Sequence, residues 1–312
     1  MKQKFFFSIL LSILSISLFA QTTQLRVGLL NGPTCVPAAY LMENHTEISY
    51  EQFADPQALL PKMIKKEIDI GFMPVNVAAK VYNAGNKAII CCAVTGLGNL
   101  SLITTDETIK RFTELEEKTV YVAGQGATPE YMMRFLLKEN KVNNVTLDFS
   151  IPTAQIAAQL ISGKIQYAVV PEPFATIAQI KSDKVRAALN LQNEYLALTG
   201  SKDIYPLSVM VVRAEFANEN PELLEQFLTE YQKAVEWTIA NPGEAGMLTE
   251  KHRLGLIAGI VEKAIPVSNY TYIPAKNAKS SIEELLKLFL ENDKSSLGGK
   301  LPDGKFYYAD IK

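Results

Sequence analysis

"TVYVAGQGATPEYMMRFLLKEN", residues 119–140, changes its period half-way. "TVYVA" is β-branched and apolar and reads as a strand. "PEYMMRFLLKEN" spaces its apolar residues as one face of a helix does. Between them "GQGATPE" (124–130) is a strand-to-helix turn. Thr128 suits the N-cap, Pro129 the first helical position, and Glu130 falls in the first turn. Gly124 and Gly126 allow a ligand to approach the backbone closely. The orphan N–H groups of such a turn, with the helix dipole behind them, are expected to point into a cleft. The plainer reading is that the residues only start a helix. No Gly-Lys-Ser/Thr triplet is present, and only two of the three glycines of a dinucleotide fingerprint, so nucleotide phosphate is not the expected ligand.

The same alternation extends both ways. Upstream, the strands are "LRVGLL", "ISYEQF", "IDIGFM", "AIICCAV" and "LSLITT". The helices between them are "VPAAYLMEN", "PQALLPKMIKKE" (imperfect because of Pro61) and "VNVAAKVYNAG". Downstream come "VTLDFS", "AQIAAQLISGK", "QYAVV" and "FATIAQIKS". Two successive strand–helix runs predict an α/β fold with two sheets, hence two lobes. After about residue 205 the pattern changes to one more strand, "LSVMVV", a long helix "NPELLEQFLTEYQKAVEWTIAN", and then helix and loop ending in "SIEELLKLFLEND". This late strand suggests a return of the chain to the first lobe.

The 312 residues are 48% hydrophobic and 21% charged, enough for a large core and about two domains. Residues 1–20 stand apart: "MKQK" is basic, and "FFFSILLSILSISLFA" is apolar, uncharged and too short to span a bilayer. They read as a secretory signal cleaved before Gln21. Removing Lys2 and Lys4 takes the formal charge from −2 to −4, which gives no electrostatic footprint for nucleic acid. Cys35, Cys91 and Cys92 do not make a disulfide framework. The adjacent pair reads as part of a buried strand, Cys35 as a loop residue open to solvent, and a bridge from Cys35 to either partner stays open.

Familiar catalytic motifs are missing. His45 and His252 both lie in polar, turn-like contexts, and C-x-x-C, H-E-x-x-H and G-x-S-x-G do not occur. What remains is a set of strand-end loops, where α/β sheets bind ligands. They are "NGPTCVP" (31–37), "MPVN" (73–76), "TGLGN" (95–99), "GQGATPE" (124–130), "IPTAQ" (151–155) and "PEPF" (171–174), and none holds Lys or Arg. Each alone is ordinary turn chemistry. Six in register around a cleft would supply N–H groups, small hydroxyls and amides. Their ionisable groups are Glu130, Glu172 between two prolines, and the Cys35 thiol. Glu172 reads either as a ligand contact or as a structural residue, an acceptor for an N–H of the other lobe. Phe72 and Phe174 are the nearest aromatics.

"DIGFMPVNVAAKVYNAG", "TVYVAGQGATPEYMMRFLL" and "AVVPEPFATIA" resemble the solute-binding proteins of ABC importers, in the nitrate/sulfonate/taurine/thiamine-precursor group. The resemblance runs from about residue 25 to 215. It implies the type II periplasmic binding protein fold, two α/β lobes with mostly parallel sheets flanked by helices and joined by two crossover strands. Lobe I would hold residues 25–103 and 205–312, and lobe II residues 104–204. The resemblance places the ligand among Asn31, Gly32, Pro33, Thr34 and Cys35, Pro74, Val75 and Asn76, Gln125, Gly126, Ala127 and Thr128, and Pro171, Glu172 and Pro173. Thr95 and Asn99 lie near the crossover and would join them. The implied protein is a periplasmic monomer that binds a small organic or oxyanionic solute by hinge closure. It delivers that solute to an ABC permease with its cytoplasmic ATPase, without cofactor, metal or catalytic residue. A receptor-sensing subunit is the second reading. A thiamine-pyrimidine synthase of the same fold is the third, weakened by the export signal and by only two Cys in "IICCAV".

Overall fold

The computed structural model describes residues 24–309 except Asn86. The expected signal segment and its cleavage site before Gln21 lie outside the described residues. The strands are β1 (Arg26–Leu30), β2 (Ser49–Phe53), β3 (Ile70–Pro74), β4 (Ile89–Leu97), β5 (Leu100–Thr104), β6 (Thr119–Val122), β7 (Thr146–Asp148), β8 (Tyr167–Pro171), β9 (Arg186–Asn190), β10 (Pro206–Arg213) and β11 (Tyr270–Pro274). The helices are α1 (Cys35–Asn44), α2 (Pro56–Ile64), α3 (Val75–Ala84), α4 (Thr128–Glu139), α5 (Thr153–Ile161), α6 (Phe174–Lys181), α7 (Leu191–Thr199), α8 (Ala214–Glu219), α9 (Pro221–Ala240), α10 (Pro242–Lys251), α11 (Ala258–Ala264) and α12 (Ala275–Asn292). Among the described residues no helix is long and apolar enough to cross a membrane.

Two sheets result, in the orders β11-β4-β10-β3-β1-β2 and β7-β6-β8-β5-β9. Each is mixed. β1 runs parallel to β2 and β3, and β6 parallel to β7 and β8, as strand–helix–strand units require. The strands at the crossovers run antiparallel to their neighbours: β10 to β3 and β4, and β5 to β8 and β9. β10 brings the chain back between β3 and β4 of the first sheet.

The apolar run in β10 follows from burial on both faces. Val209 and Val211 pack with residues of α3 and α12, while Met210 and Val212 pack with residues of α1 and α9. Adjacent Cys91 and Cys92 divide in the same way, one into each layer, because successive side chains of a strand point to opposite faces. Both thiols are free and buried. Helix α12 reaches across to α4, where Tyr131 and Phe289 put their ring centroids 5.6 Å apart and Lys138 Nζ donates to Asn292 Oδ1 at 2.9 Å.

β4 passes into β5 through only two residues, Gly98 and Asn99. A Cβ on Gly98 would lie 2.1 Å from Gln192 Oε1 and 2.5 Å from Tyr205 Cζ. Tyr205 is fully buried beside the second crossing, so its ring has little room to retreat. Gly98→Ala is expected to destabilise the protein by about 1–3 kcal/mol, the scale of core overpacking. Urea unfolding followed by circular dichroism reads this directly, and an unchanged midpoint would show that the crossover yields.

Candidate functional site

The carboxyl ends of β1, β3, β6 and β8, and the first turns of α1 to α6, surround a cavity of about 180 Å³ between the two sheets. The parallel topology sets this: each strand hands its chain to a helix at the same end, so the turns converge. Of the residues expected from sequence, Asn31, Pro33, Thr34, Pro74, Thr95, Asn99, Ala127 and Pro171 line the cavity. Gly32, Cys35, Val75, Asn76, Gln125, Gly126, Thr128, Glu172 and Pro173 stand outside its lining.

Several of these have other work in the fold. Cys35 is the first residue of α1 and wholly buried, not an open loop thiol. Its Sγ donates to Leu30 O at 3.0 Å, and burial pushes the thiol up to about 12, so it is not a nucleophile. Val75 packs in the core, and Gln125 is exposed on the outside of its turn. Gly32 has φ +112°, beyond the reach of most side chains, and its Cα faces the Phe174 ring across the cleft.

The turn at 124–130 departs from its expected form. Ala127, not Thr128, is the N-cap of α4, and Thr128 is the first helical residue. The Thr128 hydroxyl is turned away from its own helix and donates to Asn76 Oδ1 at 3.1 Å. Asn76 Nδ2 in turn donates to Gly126 O at 2.9 Å. Asn76 and Thr128 are both fully buried, so two hydrogen bonds tie α3 to α4 across the cleft. The expected free N–H groups are largely taken. Gly126 N donates to Glu130 Oε2 at 2.7 Å, and Arg134 Nε donates to the other oxygen at 2.8 Å. The turn holds the chain's own carboxylate.

Glu172 behaves similarly. It is buried, and its Oε2 accepts from Thr176 N at 3.1 Å in the first turn of α6. It borders a second cavity of about 330 Å³, together with Asn99, Thr176 and Lys263. Burial raises its pKa, while the bonds from the Thr176 hydroxyl and N–H oppose the rise. A carboxyl raised in the folded state holds its proton more tightly there than in the unfolded chain. Above the raised value the buried charge therefore weakens the fold. The penalty fades as pH falls toward the ordinary carboxylate range and is absent below it. Glu172→Gln keeps an acceptor for Thr176 and is expected to melt at or above the wild-type temperature at pH 7, with the advantage shrinking by pH 4. A lower melting temperature at pH 7 would mean that the charge is paired in solution.

Met73, Gly96, Gly124, Pro129, Thr153 and Phe174 of the lining fall in the strand-end loops read from sequence, whereas others were not foreseen. Tyr231 comes from the middle of α9, Tyr270 from β11, and Leu207 and Ser208 from β10. Asp55, the side-chain cap of α2, is the only carboxyl group in the lining. Thr153 stands in a loop singled out for the cleft, and a proline-then-threonine helix start like that of 128–129 reversed would have pointed to it. The polar floor is hydroxylic. Thr95 Oγ1 and Ser208 Oγ are 3.1 Å apart, Tyr231 bonds to Thr95, and Tyr270 bonds to Ser268. Burial raises both phenols, which stay protonated donors. Leu30, Met73, Leu100 and Phe174 supply apolar wall.

The sequence matches the NMT1-like family over residues 20–249. The chain belongs to that family. No curated protein sequence matches it. Among solved structures, this family member is similar to an ABC transporter protein from Parabacteroides distasonis, 24% identical with a TM-score of 0.76, over 93% of this chain and 100% of that one. It is similar to the periplasmic aliphatic sulphonate binding protein SsuA from Escherichia coli, at 16% identity and a TM-score of 0.70, over 93% and 95% of the two chains. It is also similar to the periplasmic nitrate-binding protein NrtA from Synechocystis PCC 6803, at 12% identity and 0.71, over 89% and 85%. These likenesses show the two-lobe type II periplasmic binding protein fold. Among the described residues, no three His, Cys, Asp or Glu side chains are grouped to hold a metal.

Proposed function

We propose that this NMT1-like chain is a periplasmic solute-binding protein. It captures one small solute between its lobes and passes it to the permease of an ABC importer. The observation that carries the reading is the cavity at the strand ends, closed by residues of both sheets and bridged by Asn76. Such a cavity widens as the lobes part and narrows as they meet, and the two short crossings at residues 98–99 and 200–205 are where the chain can bend. Closure removes water from the hydroxyls around Thr95 and Ser208, which strengthens their bonds to a bound molecule. Of the positions expected from sequence, Asn31, Pro33, Thr34, Pro74, Thr95, Asn99, Ala127 and Pro171, which line the cavity, remain the proposed ligand shell, with Tyr231, Tyr270 and Ser208 added. The resemblances to sulphonate- and nitrate-binding proteins support the transport role and leave the solute to the chemistry of this cleft.

Native mass spectrometry of the protein isolated from its own periplasm tests the reading. A single small molecule bound at one-to-one stoichiometry, with a permease and ATPase encoded beside the gene, is the expected result. A protein retained in the cytoplasm, or one in which no small molecule binds between the lobes, would refute it.

A further inference from the structure

We infer that the cleft admits an uncharged or singly cationic, mainly apolar molecule and turns oxyanions away; this rests on the solute-binding reading above. Proteins hold an oxyanion with cationic side chains or with free N–H groups at helix starts. The cavity lining contains no Lys, Arg or His, and its one charged side chain is the carboxylate of Asp55. That leaves the helix starts.

Six helices bring their first turns to the cavity, and three of those turns already hold a carboxylate of this chain. Asp55 Oδ1 accepts from Ala58 N at 2.9 Å on α2, Glu130 Oε2 from Gly126 N at 2.7 Å before α4, and Glu172 Oε2 from Thr176 N at 3.1 Å on α6. These are the positions at which a bound anion would sit. Proline removes a donor at every one of the six: Pro37, Pro56, Pro74, Pro129, Pro152 and Pro173 each stand at the cap or in the first turn. On α1 the N–H groups of Cys35 and Val36 fold back onto Gly32 O and Pro33 O. The positive ends of α2, α4 and α6 are therefore offset by carboxylates, and the first N–H groups of α1 are taken by its own turn, before any ligand arrives. An oxyanion here would lose its hydration and meet Asp55 with no countercharge. An uncharged molecule would meet hydroxyls that donate or accept equally well, and the apolar wall. One positive charge would be matched by Asp55.

The test is ligand-observed NMR on the purified protein, with a fragment library of equal numbers of anions, neutral molecules and cations. The anions include nitrate, sulfate and methanesulfonate, and dimethyl sulfone is included as the uncharged counterpart of methanesulfonate. Cleft hits are those lost in both Asn31→Trp and Thr153→Trp. These two positions line opposite lobes and neither is buried, so the folded state should tolerate both, as circular dichroism will verify. Cleft hits are expected at least tenfold more often among neutral and cationic fragments than among anions. Glu130→Gln removes a carboxylate from Gly126 N and is expected to raise the number of anion hits. Cleft hits equally frequent among anions in the wild-type protein would overturn the inference and leave solute binding standing. An unchanged anion count in Glu130→Gln would overturn the self-capping argument. No cleft hit in any class would overturn the solute-binding reading itself.

Discussion

Asp69→Ala is expected to destabilise the protein by about 3–5 kcal/mol, the scale of an uncompensated buried charge. Asp69 is fully buried immediately before β3. Its Oδ2 accepts from Arg26 N at 3.1 Å and Arg26 Nε at 2.8 Å. Its Oδ1 accepts from Arg26 and Arg213, each at 2.7 Å. The backbone joins the same three residues, since Asp69 N donates to Arg26 O and Arg213 N to Asp69 O. One carboxylate thus ties β1, β3 and β10 at the end of the sheet away from the cavity. Alanine leaves the Arg213 guanidinium buried without its countercharge, because its remaining partner, Glu215 at 3.2 Å, is half exposed. The loss is a large share of the roughly 5–15 kcal/mol that holds a typical domain. Asp69→Asn retains one acceptor and should fall between wild type and Asp69→Ala. Denaturant unfolding monitors both. A midpoint for Asp69→Ala within about 0.5 kcal/mol of wild type would mean that the two arginines find water instead, the usual outcome only for exposed pairs.

Asn76→Leu is expected to weaken the closed state by about 2–4 kcal/mol, roughly 30- to 1,000-fold in affinity for the solute recovered with the wild-type protein. Leucine keeps the branching at Cγ but offers nothing to Gly126 O or to the Thr128 hydroxyl, both of which it would leave unpaired when the lobes meet. When the lobes part, water replaces both bonds, so the open form loses little. The selective loss is what separates a latch from a core residue. Asn76→Asp sharpens the point: it still accepts from Thr128 but sets a carboxylate against Gly126 O, and is expected to weaken affinity as much as leucine does. Thr128→Val removes one bond only, with a loss of about 1 kcal/mol. Calorimetry gives the affinities, and hydrogen exchange at residues 124–131 should quicken in Asn76→Leu. Full affinity in Asn76→Leu would show that the apolar contact of α12 with α4 closes the cleft unaided.

The two-lobe α/β arrangement was legible because it rests on local signals. The strand "LSVMVV" is buried on both faces and reads as an apolar run, "TVYV" reads as a β-branched run, and the helix after "TVYV" begins at Thr128 and Pro129. Strands β9 and β11 were not foreseen. Both lie at sheet edges. "RAALN" is half polar, and in "YTYIP" no residue is fully buried, so neither shows the period of a core strand. The strand-end loops were found for the same local reason, since a strand that hands on to a helix marks its own turn.

Which partners the side chains of those loops take depends on the tertiary structure. Sequence placed Thr128 as a cap because Thr before Pro usually caps; the opposing lobe instead claims its hydroxyl through Asn76, 52 residues away. Glu172 stood between ligand contact and acceptor for an N–H of the other lobe, whereas its Oε2 accepts from Thr176 N in the helix that follows it. Tyr231 and Tyr270 reach the cavity because the chain returns to the first sheet after residue 205, and nothing in a helix interior or an edge strand marks such a residue beforehand. The composition of the six loops already leaves them without Lys or Arg, while the one charged residue of the lining, Asp55, lies outside them. Asp55, Glu130 and Glu172 reach N–H groups only three or four residues away in the chain, but which oxygen bonds which N–H depends on the folded geometry of each turn. Local periodicity is written in neighbouring residues, whereas a hydrogen bond between lobes needs two surfaces whose positions the whole chain must first determine.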